Sequence, residues 1–268
     1  MGIAASMTIP RGGSVPEVRQ HSILESIILH LLPGVPAVIA YGVAAAQLHQ
    51  MDLPHIFALL IAIAAVEVPV TWGLMAYLET RETGAVHWKR LFPWRERLRL
   101  REYVLLGVPL IFYSFLMVGA VSPLLQNVLV PTVFSWVPEW FVMQFRPDMF
   151  SRLPHSALVL MWSWGLVTMT LVGGFTQELY FRGYLLPRMA GMGAAGPVLN
   201  ALLFAVFHMA APWSWPVFFV MVLPWSYLVY RKRSVQLGLF IHVGMLLLQS
   251  LMMSLLVFGV VRLPAGGP

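Results

Sequence analysis

Seven runs of apolar residues separated by short polar or charged breaks organise this chain: 23–49, 53–79, 102–130, 155–177, 196–212, 214–230 and 235–261. An α-helix needs about 20 residues to cross the hydrocarbon of a bilayer, and most of the runs reach that length. Backbone at that depth must satisfy its own hydrogen bonds, so such runs predict helices and not open strands. The pattern predicts an all-α, polytopic transmembrane helix bundle of about seven spans. The fifth and sixth runs are short and punctuated by Pro197, Pro212, Pro216 and Pro224. Broken helices at membrane depth often surround a cavity, although ordinary proline kinks would give the same pattern.

On this basis residues 1–22 form a cytoplasmic N-terminal segment and 23–154 the N-terminal transmembrane helices. Residues 155–261 hold the last four runs, and 262–268 form a tail. The basic loop 81–101 interleaves Trp88, Leu91, Phe92, Trp94, Leu98 and Leu100 with its charges and is expected on the membrane surface. Residues 131–154 mix aromatic and charged side chains and suit the lipid–water interface, as a connector or as a gate for substrate.

Composition agrees with the pattern: 59% of residues are hydrophobic and 10% charged, against roughly a quarter charged in a soluble domain. The net charge of +6 comes from basic residues between the apolar runs, in 81–101 and in Arg231-Lys232-Arg233. Positive-inside orientation accounts for them and places the N-terminus in the cytoplasm. The lipid bilayer is therefore the expected partner, and nucleic acid is not. The expected location is an integral membrane protein of a bacterial inner membrane. With no cysteine in the chain, a disulfide framework, a thiolate metal site and a cysteine nucleophile are excluded.

Ionisable groups at membrane depth are costly and mark candidate sites. Glu178 and Arg182 stand four apart in Gln177-Glu178-Leu179-Tyr180-Phe181-Arg182-Gly183, one turn from each other on a helix. His208 follows Phe204 by four, and His242 lies on the last apolar run. This set allows two chemistries. Glu178, His208 and His242 suit a His₂Glu zinc site, which would generate hydroxide near neutral pH. Alternatively a carboxylate activates water while a histidine donates to the oxyanion. The cofactor expectation is accordingly none, or zinc. The plainer alternative for Glu178 and Arg182 is a buried ion pair that locks helices together. Glu67, beside Pro69, ranks as structural, and His30, His49, His55, His87 and His155 fall near span ends or in loops.

At these residues the chain resembles the CPBP family of intramembrane proteases, which includes the CAAX prenyl endopeptidases and bacteriocin-immunity relatives. Gln177-Glu178-Leu179-Tyr180-Phe181-Arg182 resembles the family's Glu-Glu-x-x-x-Arg, and Phe204-Ala205-Val206-Phe207-His208 its Phe-x-x-x-His. His242 matches the histidine of a third motif, His-x-x-x-Asn/Asp. The resemblance covers about 155–250 and implies a C-terminal four-helix, CPBP-like catalytic core over 155–261. It implies an intramembrane endopeptidase cutting a membrane-associated protein or peptide near the cytoplasmic face, with Glu178, Arg182, His208, His242 and Gln177 at the site. Two positions depart from the pattern. Gln177 stands where the family has the carboxylate that activates water, and an amide cannot accept that proton. Leu246 stands where the family has a polar Asn or Asp. These departures keep open a non-catalytic relative that acts by binding, in an immunity or scaffold role.

Overall fold

The computed structural model describes residues 18–143 and 153–258. Seven apolar helices dominate: α1 (Ile23–Gln50), α2 (Ile56–Thr83), α3 (Leu100–Thr132), α4 (His155–Met192), α5 (Ala195–Phe207), α6 (Pro212–Lys232) and α7 (Val235–Leu255). Among the described residues no sheet forms; an isolated bridge joins Arg95 to Ser234. Large apolar side chains such as Ile39, Val43, Leu105, Leu124 and Leu160 remain exposed on the outer faces. A surface of that kind belongs in lipid. The chain is an integral membrane helix bundle.

Two helices differ from the hydropathy pattern. The run 155–177 continues as helix to Met192, because Glu178, Arg182 and Arg188, which resemble an end in hydropathy, are fully buried within the bundle. The fifth run is not a span. Helix α5 has 13 residues, about 20 Å at 1.5 Å per residue, and stops at His208, whose backbone leaves the helix at φ −76°, ψ 58°. The stop lies at mid-depth, against Gly34 near the middle of α1. A Cβ on Gly34 would sit 2.9 Å from the Phe207 carbonyl oxygen, so only glycine allows this approach. The backbone groups freed at the break find partners: Ala211 N–H and Trp215 Nε1–H both donate to the His208 carbonyl, at 3.1 Å each. Irregular backbone survives in a membrane protein under that condition.

One end of the bundle gathers the charge. Arg19 pairs with Glu25 and, at 3.1 Å, with Glu82, and Arg90 pairs with Glu82 at 3.0 Å. The buried Glu79 lies 3.5 Å from Arg90 and 3.6 Å from Arg188. The loop after α2 reaches the turn after α6 through main-chain bonds from Glu96 to Arg233 and from Val235 to Trp94, 3.0 Å each. In the loop 81–101, Trp88 and Leu100 are exposed. Leu91, Phe92 and Trp94 instead insert into the bundle. Loops α2–α3, α4–α5 and α6–α7 all lie at this basic end.

In the interfacial segment, Tyr41 donates to the Phe141 carbonyl at 2.8 Å and Trp136 is exposed. Residues 144–152, the first 17 and the last ten lie outside the described residues.

Candidate active site

A cavity of about 440 Å³ opens beside the α5 break. Its wall runs from Gly34 to Tyr41 on α1, Ile56 to Glu67 on α2, Met161 to Gln177 on α4 and His242 to Met253 on α7. Each of those stretches lies between mid-helix and the end away from the basic loops. The cavity therefore occupies the half of the bundle opposite the charge cluster. Most of its wall is apolar, including Met143, Met161, Met169, Met221, Met245 and Met253, thioether side chains that adapt to varied shapes.

One group of polar side chains sits at the end of the cavity nearest the middle of the bundle, and Gln249 and Ser250 line it further along α7. Gln177, His208 and His242 all line it. His208 Nδ1 lies 2.9 Å from the Phe204 carbonyl, one turn back on α5. A carbonyl only accepts, so Nδ1 carries the proton and Nε2 is the nitrogen available to a bound group. Phe204 and Phe218 flank the ring, each with its centroid 4.8 Å away. His242 is held in the same sense, with Nδ1 3.2 Å from Glu178 Oε2 and Trp225 packed at 5.2 Å between centroids.

Glu178 is one residue from Gln177, a step of about 100° around the helix, and it faces away from the cavity. It is fully buried and absent from the cavity wall. Its carboxylate packs onto Gly238 of α7: a Cβ there would fall on Oε1 and lie 2.9 Å from the carboxylate carbon. Arg182 supplies the countercharge at 3.5 Å. The guanidinium itself lies 4.0 Å above the Phe204 ring, a cation–π contact suited to a dry site.

Behind the ion pair runs a hydrogen-bonded chain that hydropathy did not single out. Arg182 Nε donates to Ser226 Oγ (3.4 Å), and Ser226 donates to Asn200 Oδ1 (3.1 Å). Asn200 Nδ2 donates to His30 Nε2 (3.0 Å) and to the Phe181 carbonyl (2.9 Å), and His30 Nδ1 donates to the Ser26 carbonyl (2.6 Å). His30 is thus fully buried between α1, α4 and α5 and not placed at a span end. The available signal was Asn200, an amide inside the apolar run Val198–Leu203, one helical turn before Phe204 and two before His208.

Glu67, read from the sequence as a structural residue that pairs with a neighbouring helix or a water at the Pro69 kink, does pair with a neighbouring helix. It lines the cavity, and its Oε1 accepts a 2.8 Å hydrogen bond from Gln177 Nε2. A zinc site of Glu178, His208 and His242 does not fit this arrangement. Among the described residues no group of three His, Cys, Asp or Glu is placed to hold a metal ion. The reason is local: Glu178 approaches His242 from behind through Nδ1, while a metal would have to sit on the cavity side.

Residues 159–248 match the family model described as type II CAAX prenyl endopeptidase, Rce1-like. The match supports assignment at the level of the CAAX/CPBP protease family. No curated protein and no solved structure matches the chain. The matched segment begins in α4 and ends in α7, so it contains Gln177, Glu178, Arg182, His208 and His242. Glu67 and His30 lie outside it, on the helices that close the other side of the cavity.

Proposed function

We propose that this protein is an intramembrane endopeptidase that hydrolyses a peptide bond of a membrane-associated protein or peptide. One observation carries the reading: His208 and His242, from two helices, line one cavity at mid-membrane, each held through Nδ1. Nε2 of either ring can take up a proton and, once charged, donate to the oxyanion or the leaving nitrogen. Glu178 accepts from His242 Nδ1 and orients its ring, and Arg182 holds Glu178 in place. The Gln177 carboxamide offers a neutral hydrogen-bonding group on the same wall.

Sequence reasoning put the scissile bond near the cytoplasmic face. With the basic end inside, the cavity lies in the opposite half of the bundle. The substrate would then enter through that half and present its bond near the membrane centre. A bacterial inner membrane remains the proposed setting.

The second reading is a non-catalytic relative that binds a membrane protein, in an immunity or scaffold role. It is favoured by Leu246, which puts a hydrocarbon on the cavity wall in place of a polar side chain. The experiment that separates the two is N-terminal peptide profiling of host membranes, wild type against a chromosomal His208→Ala strain at equal protein level. Termini present in wild type and missing in the variant support the protease and identify its substrate. Identical profiles, with the same proteins retained in a detergent pull-down of both forms, would establish the binding role.

A further inference from the structure

The cavity has one carboxylate among its described lining residues, and that carboxylate is Glu67 of α2. Gln177 of α4 grips its Oε1 at 2.8 Å. Among the described residues Oε2 has no hydrogen bond. At Ile63–Glu67 the α-helix widens into a π-helical turn that ends on Glu67, one of several such turns in the bundle. Pro69 follows within the next turn.

The two buried carboxylates of this region differ in their partners. Glu178 faces the guanidinium of Arg182 at 3.5 Å. Glu67 faces a neutral amide, so its charge is free to change during a reaction. An ionisable group at membrane depth with no cation beside it is expensive to keep for packing alone, since glutamine would pack as well. Glu178 also has no access to the cavity, and Gln177 has no basic atom.

We infer that Glu67 is the general base of the hydrolysis, brought to the reaction centre by α2 from outside the matched segment. The inference rests on the protease reading above. Glu67 takes one proton from a water molecule, and the oxygen of that water attacks the scissile carbonyl carbon. The carbonyl oxygen becomes an oxyanion facing the histidines. As the intermediate collapses, the carbon–nitrogen bond breaks and the proton passes from Glu67 to the leaving nitrogen. The products are a carboxylate terminus and an amine terminus, with Glu67 restored. Gln177 fixes Oε1 so that Oε2 points at the water.

The test exchanges the two side chains across their hydrogen bond. Full-length wild type, Glu67→Gln and the double variant Glu67→Gln/Gln177→Glu are compared in vesicles. The probe is a quenched-fluorescent peptide carrying the junction found by terminal profiling, and the readout is kcat/KM against pH. Glu67→Gln is expected to lose about 100-fold or more and to lose the acid limb of the profile. The double variant, which restores a carboxylate to the pair, is expected to recover to within about tenfold of wild type and to regain that limb. A single variant within about tenfold of wild type overturns the assignment, as does a double variant no better than the single. Should Glu67→Gln fail to fold, the double variant decides alone. Wild type that cleaves nothing sinks the protease reading itself, an outcome distinct from wild type and Glu67→Gln cleaving equally.

Discussion

His242 donates from Nδ1 to Glu178 Oε2 across 3.2 Å, and the carboxylate that receives it is sealed behind the cavity wall. This makes Glu178 a positioning residue whose effect on substrate passes through His242. Glu178→Gln keeps the shape and a hydrogen-bonding atom while removing the charge. It is expected to lower kcat about 10- to 100-fold with KM little changed. Glu178→Ala goes further, leaving Arg182 as an uncompensated buried charge at a cost of about 3–5 kcal/mol. Thermal unfolding in detergent separates the two effects. A Glu178→Ala protein as stable as wild type would contradict the ion pair's role.

Gly238 gives the most specific structural test. A methyl group at 238 collides with the Glu178 carboxylate and comes within 3.1 Å of Val229. Gly238→Ala is expected to cost about 1–3 kcal/mol through overpacking and to reduce cleavage by displacing His242, although residue 238 never meets substrate. Wild-type turnover in this variant would show that Glu178 can move without consequence.

Leu246 lies on the cavity wall one turn beyond His242. If oxyanion stabilisation limits the present rate, Leu246→Asn supplies a donor and is expected to raise kcat about tenfold or more. The binding reading expects no turnover from the same variant. Single-turnover assays on the profiled junction peptide measure the difference.

The basic end predicts a pH dependence of stability. Burial pushes the His21 imidazole down from 6.5 to about 4, opposed by Glu25 and reinforced by Arg188 and Arg19. Between those values the folded protein binds fewer protons than the unfolded chain. Stability therefore falls as pH drops from about 6.5 towards 4, by up to about 3 kcal/mol, and is fully retained above that window. His21→Asn should flatten this slope. A thermal midpoint that does not change between those pH values in wild type would refute it.

Hydropathy located the helices because lipid imposes a simple rule on composition, and Glu178, Arg182, His208 and His242 stood out against it for the same reason. What it missed depended on distant partners. Helix α4 looked finished at 177 because Glu178, Arg182 and Arg188 are charged, yet Arg182 and Arg188 each face a carboxylate inside the bundle. The end of α5 depends on Gly34, far away on α1. Glu67 looked structural because its partner, Gln177, is 110 positions away. His30 was passed over because Asn200 is 170 positions away. Pattern along a chain exposes an unusual residue, but only tertiary contact shows which way it faces.

The bond between His30 and Asn200 also orders events during synthesis. The first helix enters the bilayer with an imidazole whose partner has not yet been translated. The Leu29 carbonyl likewise waits for the hydroxyl of Tyr180, which meets it at 2.6 Å. Until α4 and α5 have emerged, α1 carries unsatisfied polar groups among lipid tails and has no settled neighbour. Nascent chains ending before residue 200 should therefore remain with the insertion machinery, and the native arrangement waits for α5.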